Sequence, residues 1–154
     1  MFLVLKSLHI LGTILFLGNI LVTGWWKVRA DRHGDPRVVA FAQRLVALND
    51  FLFTSTGVAL ILGSGIMITA LYRVDYLEQL WYAWGYWLFI ASAVVWFGLL
   101  IPVQRKQCSL ARRFAHGGPI PPLYWRLERI WLTGGVIALL LPLANLYWMV
   151  FKPL

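Results

Sequence analysis

Four long apolar stretches divide the chain, and each is close to the ~20 residues that a helix needs to cross a bilayer. They run over residues 3–25, 51–71, 84–103 and 130–151. None of them has the alternating pattern of a membrane barrel strand. The pattern predicts an all-α, polytopic membrane protein, in which residues 1–154 form a single domain, a bundle of four transmembrane helices.

The linkers between these stretches differ sharply in charge. The first and third linkers, residues 26–50 and 104–129, lie on the same side of the membrane because two spans separate them. They hold all but three of the fourteen basic residues, the others being Lys6, Arg73 and Lys152. By the positive-inside rule we expect basic cytoplasmic loops and both termini outside (N-out, C-out), in a multi-pass protein of the bacterial inner membrane.

Local signals mark the expected helix boundaries. Asn49 and Asp50 stand immediately before the second span and predict its N-cap. Pro102 predicts the end of the third span, and the Gly- and Pro-rich run at residues 117–122 predicts an irregular third linker. Asp50 and Glu128 lie at the cytoplasmic ends of their spans, where capping and ion pairs with nearby arginines explain them; a role in proton transfer is the alternative.

Composition supports the membrane interpretation. The chain is 60% hydrophobic and 13% charged, whereas a soluble domain has about 25% charged residues. Its nine Trp, six Tyr and nine Phe are typical of interfacial aromatic belts. The net charge of +8 comes mainly from the two basic linkers, so we exclude nucleic acid as a partner and expect the lipid bilayer instead.

The first span is the one that carries unusual polar residues. An ionisable residue within an apolar helix is costly, so His9 marks a site or a buried contact by default. At 100° per residue, several small, polar or aromatic residues fall on the same face as this histidine. They are Lys6, Gly12, Thr13, Phe16, Asn19 and Thr23. We expect this face to point towards the other helices and the opposite face to point towards lipid.

Counting along each span at ~1.5 Å per residue places one group of side chains in the same outer layer of the membrane. The group consists of His9, Met67, Trp87, Asn145 and Met149. An imidazole with a thioether is the axial pair of some haem sites and also suits Cu(I). One interpretation is a cofactor site in this layer, with His9 as the metal ligand and Lys6 holding a haem propionate or an anionic substrate.

Helix packing is the alternative explanation for the same residues. His9 would then hydrogen-bond a neighbouring helix, through Asn145 or through a carbonyl that a kink at Pro142 frees. The methionines would fill gaps between helices, and Lys6 would extend its ammonium group to the outer headgroups.

Three segments carry a resemblance to known families. Residues 6–12, 27–32 and 149–153 resemble an uncharacterised family of small bacterial four-helix proteins, described only as predicted integral membrane proteins. More distantly, the Lys-x-x-His opening and the hairpin layout resemble HemJ-type protoporphyrinogen oxidase and the copper-resistance protein D group. The HemJ resemblance implies b-type haem bound by His9. This sequence also departs from the HemJ-type pattern, because Trp87 occupies the position where that group has an important lysine in the third helix.

Three classes of function remain open. The first is a HemJ-like haem-binding redox protein that uses His9 and acts on a porphyrin or a quinone-pool partner. The second is a non-enzymatic subunit or assembly factor that packs against a larger membrane complex or forms a homo-oligomer. The third is a carrier for a metal or small molecule, which we rank last because the inner halves of the spans offer few polar side chains.

Overall fold

The chain folds into four long helices, seen in a computed structural model that describes residues 1–72 and 80–152. The helices are α1 Phe2–His33, α2 Pro36–Tyr72, α3 Leu80–Phe114 and α4 Pro122–Phe151. Each is long and apolar enough to cross a membrane, and the described residues form no strand. The prediction of an all-helical protein with four spans is therefore confirmed. Arg73 and Pro153, which the sequence analysis used, lie outside the described residues.

The helices are longer than the apolar stretches that predicted them. The two basic linkers are mostly helical, and turns occupy only residues 34–35 and 115–121. At 1.5 Å per residue the 32 residues of α1 extend about 48 Å, which exceeds the ~30 Å hydrocarbon core. The helices therefore project beyond the core at the end that carries the basic linkers. We call this the basic end, and the opposite end, where the chain starts and finishes, the terminal end.

The N-cap predicted at Asn49 and Asp50 is wrong. The helix begins much earlier, at Pro36, and the capping residue is Asp35, whose carboxylate accepts a hydrogen bond from the backbone N–H of Arg37 at 2.7 Å. The sequence pattern marked the place where the chain becomes apolar. The helix itself starts fourteen residues earlier than Asp50, at Pro36, so the start of the apolar stretch is not a helix boundary.

Two π-helical turns interrupt the regular α-helical pattern, at Asp50–Thr54 in α2 and at Trp96–Leu100 in α3. Pro102 follows the second turn and stands near the start of the segment Ile101–Phe114. The prediction that it ends the third span is wrong. The i→i+5 bonding of the preceding turn accommodates a proline, which has no N–H for the usual bond to the residue four positions back.

Within the membrane the helices pack as two hairpins. In the first hairpin α1 meets α2 at Gly12 and Gly57, where a Cβ atom on either glycine would lie 2.8 Å from the carbonyl oxygen of the other. Small residues of this kind let the backbones of membrane helices approach closely. The face of α1 that was predicted to point inward is buried at Gly12, Phe16, Asn19 and Thr23.

At the basic end the four helices close into a ring, because the first part of α2 packs on the last part of α3, and α4 packs on α1. An apolar core fills this ring, formed by Val39, Ala40, Ala111, Phe114 and Tyr124. Ten of the eleven basic residues of the two linkers are exposed around it. The exception is Lys27, which is 1% exposed.

The terminal half is more open. No Cα atom of Ser55–Tyr72 lies within 8 Å of a Cα atom of Leu80–Val95, so side chains rather than backbones bridge the two hairpins. Thr69 and Tyr82 form one such bridge through a hydrogen bond between their hydroxyl groups. Within the most apolar 18-residue stretch of each helix, only 11–28% of the residues are buried. Most of the spanning surface is therefore left for lipid or for other protein.

Candidate functional site

His9 lies half-buried on α1 and faces α2. Its Nδ1 atom is 3.0 Å from Oγ of Ser64, whose own hydroxyl donates to the carbonyl oxygen of Leu60 at 2.5 Å. Because the single hydroxyl proton is used there, the serine oxygen accepts and Nδ1 of the imidazole carries the proton. The lone pair of the neutral ring is then on Nε2, which is the form that binds a metal ion.

The helix partner of His9 is not one that the sequence predicted. The expected partners, Asn145 and a carbonyl near Pro142, lie on α4, in the other hairpin. There the side-chain Nδ2 of Asn145 donates to the carbonyl oxygen of Gly85 at 3.0 Å, and Met149 fills the space beside the same glycine. Asn145 and Met149 of α4 thus both pack against Gly85 of α3, whereas His9 is hydrogen-bonded to Ser64 of α2.

The remaining residues of the predicted cofactor site lie at the surface. Trp87 is 63% exposed and Met67 is 48% exposed. Lys6 is also exposed, one turn from His9 towards the terminal end. Cofactor binding by this set, with His9 as the ligand, stays a prediction.

A buried polar cluster surrounds Asp50, where the π-helical turn of α2 begins. The amide Nδ2 of Asn19 and the hydroxyl of Thr54 donate to carboxylate Oδ1 at 2.9 and 3.1 Å, and the amide Nε2 of Gln104 donates to Oδ2 at 3.0 Å. The indole N–H of Trp131 donates to the amide oxygen of Gln104 at 3.3 Å. These bonds join all four helices, and both carboxylate oxygens have donors.

A second buried cluster lies closer to the basic end, around Lys27. Its ammonium group donates to Glu128 Oε2 at 2.9 Å and to Asp31 one turn along α1, and it lies 5.3 Å from the centre of the Tyr124 ring. The amide Nε2 of Gln107 donates to the same Glu128 oxygen at 2.6 Å. We call the group Lys27, Asp31, Gln107 and Glu128 the Lys27 cluster.

Glu128 lies outside the predicted span 130–151, at the basic end. Burial raises the pKa of its carboxyl group from 4.5 to about 7; the charge of Lys27 opposes this rise and the charge of Asp31 adds to it. Burial therefore favours the neutral form of this carboxyl group.

A family described as "Predicted integral membrane protein (DUF2269)" matches residues 3–153, which include all four helices. The chain belongs to the DUF2269 family. This match confirms the predicted uncharacterised membrane family, and it shows a multi-pass integral membrane protein in contact with the bilayer. Searches of curated proteins and of solved structures found no match.

In this DUF2269 protein, neither Asp50 nor Glu128 caps a helix N-terminus, and the ion pair that Glu128 forms is with Lys27 and not with an arginine. The arginines expected to pair with them, Arg44, Arg126 and Arg129, are exposed. The carboxylates instead point into the bundle, where amide, hydroxyl and ammonium donors from neighbouring helices meet them. The physical reason is the helical period: residues that are close in sequence, such as Glu128 and Arg129, project from different faces of the helix, so only some of them face the interior.

Four buried partners in this DUF2269 protein were not predicted from the sequence, and they are Lys27, Ser64, Gln104 and Gln107. One signal for Lys27 was available, because Asn19, Thr23 and Lys27 follow one another at intervals of four and so continue the inward face of α1. The two glutamines stand three positions apart in a linker dominated by arginine and lysine. Within the described residues, no group of three or more His, Cys, Asp or Glu side chains could hold a metal ion.

Proposed function

We propose that this DUF2269 protein is a HemJ-like haem-binding redox protein of the bacterial cytoplasmic membrane, in which His9 Nε2 would bind the iron of a b-type haem. The observation that carries the proposal is the hydrogen bond between His9 Nδ1 and Ser64. Metal-ligating histidines almost always donate their other ring N–H to a fixed acceptor, which sets the orientation of the ring. Ser64 is such an acceptor, and its own proton is committed to Leu60.

The two hairpins keep their backbones apart in the terminal half. The cavity between them, which Phe16, Phe89 and Trp96 help to line, is small and does not include His9, so a haem bound at His9 would have to move the hairpins further apart. Lys6 is exposed one turn from His9, in reach of the headgroup layer, where its ammonium group suits a carboxylate. A bound haem would supply one-electron transfer, and the role of this chain is to hold and orient it.

The orientation of the bundle follows from the same proposal of a bacterial cytoplasmic membrane. The ring of exposed arginines and lysines at the basic end supports an arrangement with this end in the cytoplasm. The His9 site then lies in the half of the membrane that faces away from the cytoplasm.

The decisive experiment is an absorption spectrum of the protein purified in mild detergent after expression with a sufficient haem supply. We expect a Soret band that shifts on reduction and that is lost in His9→Ala. His33→Ala and His116→Ala are matched controls, because both histidines are exposed at the basic end, and they retain the band. Ser64→Ala weakens haem binding by about 10–100-fold, because the ring loses its orienting acceptor.

Two results would contradict the haem proposal. One is a folded protein, checked by its helical circular dichroism, that has no Soret band even after titration with haem. The other is a Soret band whose intensity and position are the same in the wild type and in His9→Ala.

A second candidate function, that of a non-enzymatic subunit, is favoured by a groove on the outside of the bundle. The groove measures about 300 Å³, and Leu15, Gly18, Val22 and Phe53 contribute to its lining. At one end the indole N–H of Trp26 is buried without an acceptor. A helix of a second copy that enters the groove could provide one. Light scattering in detergent would then show a dimer for the wild type and a monomer for Gly18→Phe, while a monomeric wild type would contradict this candidate.

A further inference from the structure

The Lys27 cluster contains more hydrogen-bond acceptors than donors. Gln107 is fully buried and Glu128 is 4% exposed, yet each has an oxygen, Oε1 in both cases, with no hydrogen-bond partner. Asp31 Oδ1 is buried without a partner as well. All three unpartnered atoms are acceptors. The cluster is therefore short of a donor, which is costly in an environment that excludes water.

The donor groups of the neighbouring side chains already form other hydrogen bonds. The Lys27 ammonium group donates to both carboxylates, and the Gln107 amide donates to Glu128 Oε2. The Tyr124 hydroxyl donates to Gln43 at 3.0 Å. With both carboxylates ionised, the cluster also carries one more negative charge than positive charge.

We propose that Glu128 is a proton-binding site of this protein, taking up a proton from water at the basic end and releasing it there. A proton on Glu128 Oε1 converts an unpartnered acceptor into a donor. The cluster contains two unpartnered acceptors for this donor, Asp31 Oδ1 and Gln107 Oε1, and the Asp31 carboxylate lies within hydrogen-bonding reach of Glu128. The same proton brings the charge of the Lys27 cluster to zero. The inference is independent of haem binding.

A proton fits this position better than a metal cation does. The Lys27 ammonium group already occupies the Glu128 oxygen that a cation would share, and it repels a second positive charge at that distance. The other titratable groups that face the site are Asp31 on α1, Tyr124 on α4 and, farther away, Cys108 on α3. Lys27 opposes uptake of the proton, and Asp31 favours it.

Asp50 provides an internal contrast. It is also a buried carboxylate, but both of its oxygens accept hydrogen bonds from neighbouring donors. A proton there would remove an acceptor that one of those donors needs. The difference between the two sites lies in the balance of donors and acceptors, since both carboxyl groups face the interior of the bundle.

The test is infrared difference spectroscopy of the full-length protein in lipid nanodiscs, titrated across neutral pH. We expect the C=O stretching band of one protonated carboxylic acid to appear as the pH falls, and to be lost in Glu128→Gln. Asp35→Asn is the matched control, because Asp35 is an exposed carboxylate at the basic end, and it retains the band. Glu128→Gln is expected to fold, because its amide N–H can donate where the acid O–H donated.

A second variant keeps the proposal testable if Glu128→Gln does not fold. Asp31→Asn removes the negative charge that favours proton uptake, so the midpoint of the Glu128 band moves to lower pH by about one unit. The proposal is overturned if the wild type shows no carboxylic acid band near neutral pH, if the band persists in Glu128→Gln, or if Asp31→Asn leaves the midpoint unchanged.

Discussion

At the scale of single residues, the contact between α1 and α2 depends on the absence of a side chain at Gly12. In Gly12→Ala the new Cβ atom would lie 2.8 Å from the Gly57 carbonyl oxygen and 2.9 Å from Leu60 Cβ. Neither of these atoms can rotate away, so the helices must separate, and we expect a loss of about 1–3 kcal/mol of stability. Thermal unfolding in detergent measures this loss.

Gly18→Ala is the matched control on the same helix. A Cβ atom at Gly18 has nothing within 4 Å, so the substitution leaves stability unchanged or raises it slightly through helix propensity. Equal destabilisation of the two variants would show that α1 and α2 do not make the close contact at Gly12.

Some of these residue contacts could be predicted from the sequence, and others could not. The inward face of α1 follows from the positions of Gly12, Asn19 and Thr23 alone, because the period of a helix is fixed. The partner of His9 does not follow, because it depends on the rotation of α2 about its own axis. Ser64 stands between two glycines, and nothing in that local sequence distinguishes a hydrogen-bond acceptor from a residue chosen for its small size.

At the scale of helices, the stability of two variants shows which residue caps the start of α2. Asp35 accepts the backbone N–H of Arg37 at 2.7 Å, and Asp35→Ala should therefore cost about 0.5–2 kcal/mol. Asn49 was the cap predicted from sequence, but its side chain caps no helix terminus, and Asn49→Ala should have little effect. Chemical or thermal unfolding of both variants makes the comparison. A larger loss for Asn49→Ala would reverse the assignment.

The same helix explains why apolar length and helix length differ. Hydropathy reports which residues lie in the hydrocarbon core, whereas hydrogen bonding decides where a helix ends. In α2 the chain from Pro36 to Asn49 is helical and amphipathic, with Val39, Ala40, Gln43 and Val46 buried. That stretch packs against α3 outside the core. Four spans were therefore predictable from hydropathy, but the helical ring at the basic end was not.

At the scale of the whole molecule, stability should depend on pH through Glu128. Its pKa is raised from 4.5 to about 7 by burial, so between these values the folded state holds a proton that the unfolded state has lost. The stability that this proton provides is fully present below about 4.5 and is lost as the pH rises to about 7. The melting temperature of the wild type should fall across this window.

Glu128→Gln supplies the comparison, because it has no group to titrate at this position. Its melting temperature should change less than that of the wild type over the same range. Parallel profiles for the two proteins would mean that another group controls the pH dependence.

Counting residues along each span predicts the depth of a side chain in the membrane, but it does not predict which neighbours the side chain meets in the bundle. His9, Met67, Trp87, Asn145 and Met149 were placed at one level by counting residues, and counting gives height without direction. Trp87 faces outward and is 63% exposed, while His9 and Asn145 bond within separate hairpins. Relative rotation of four helices depends on side-chain packing between them, which one sequence does not display.

The contact between Lys27 and Glu128 has a consequence for the order of events during synthesis. The first hairpin is complete once α2 has left the ribosome, whereas Glu128 belongs to the last helix. Until then Lys27 can pair only with Asp31, which lies on the same helix. Because Lys27 follows the predicted span 3–25, we expect its ammonium group to stay hydrated at little cost, so that the two hairpins can enter the bilayer separately before their charged ends meet.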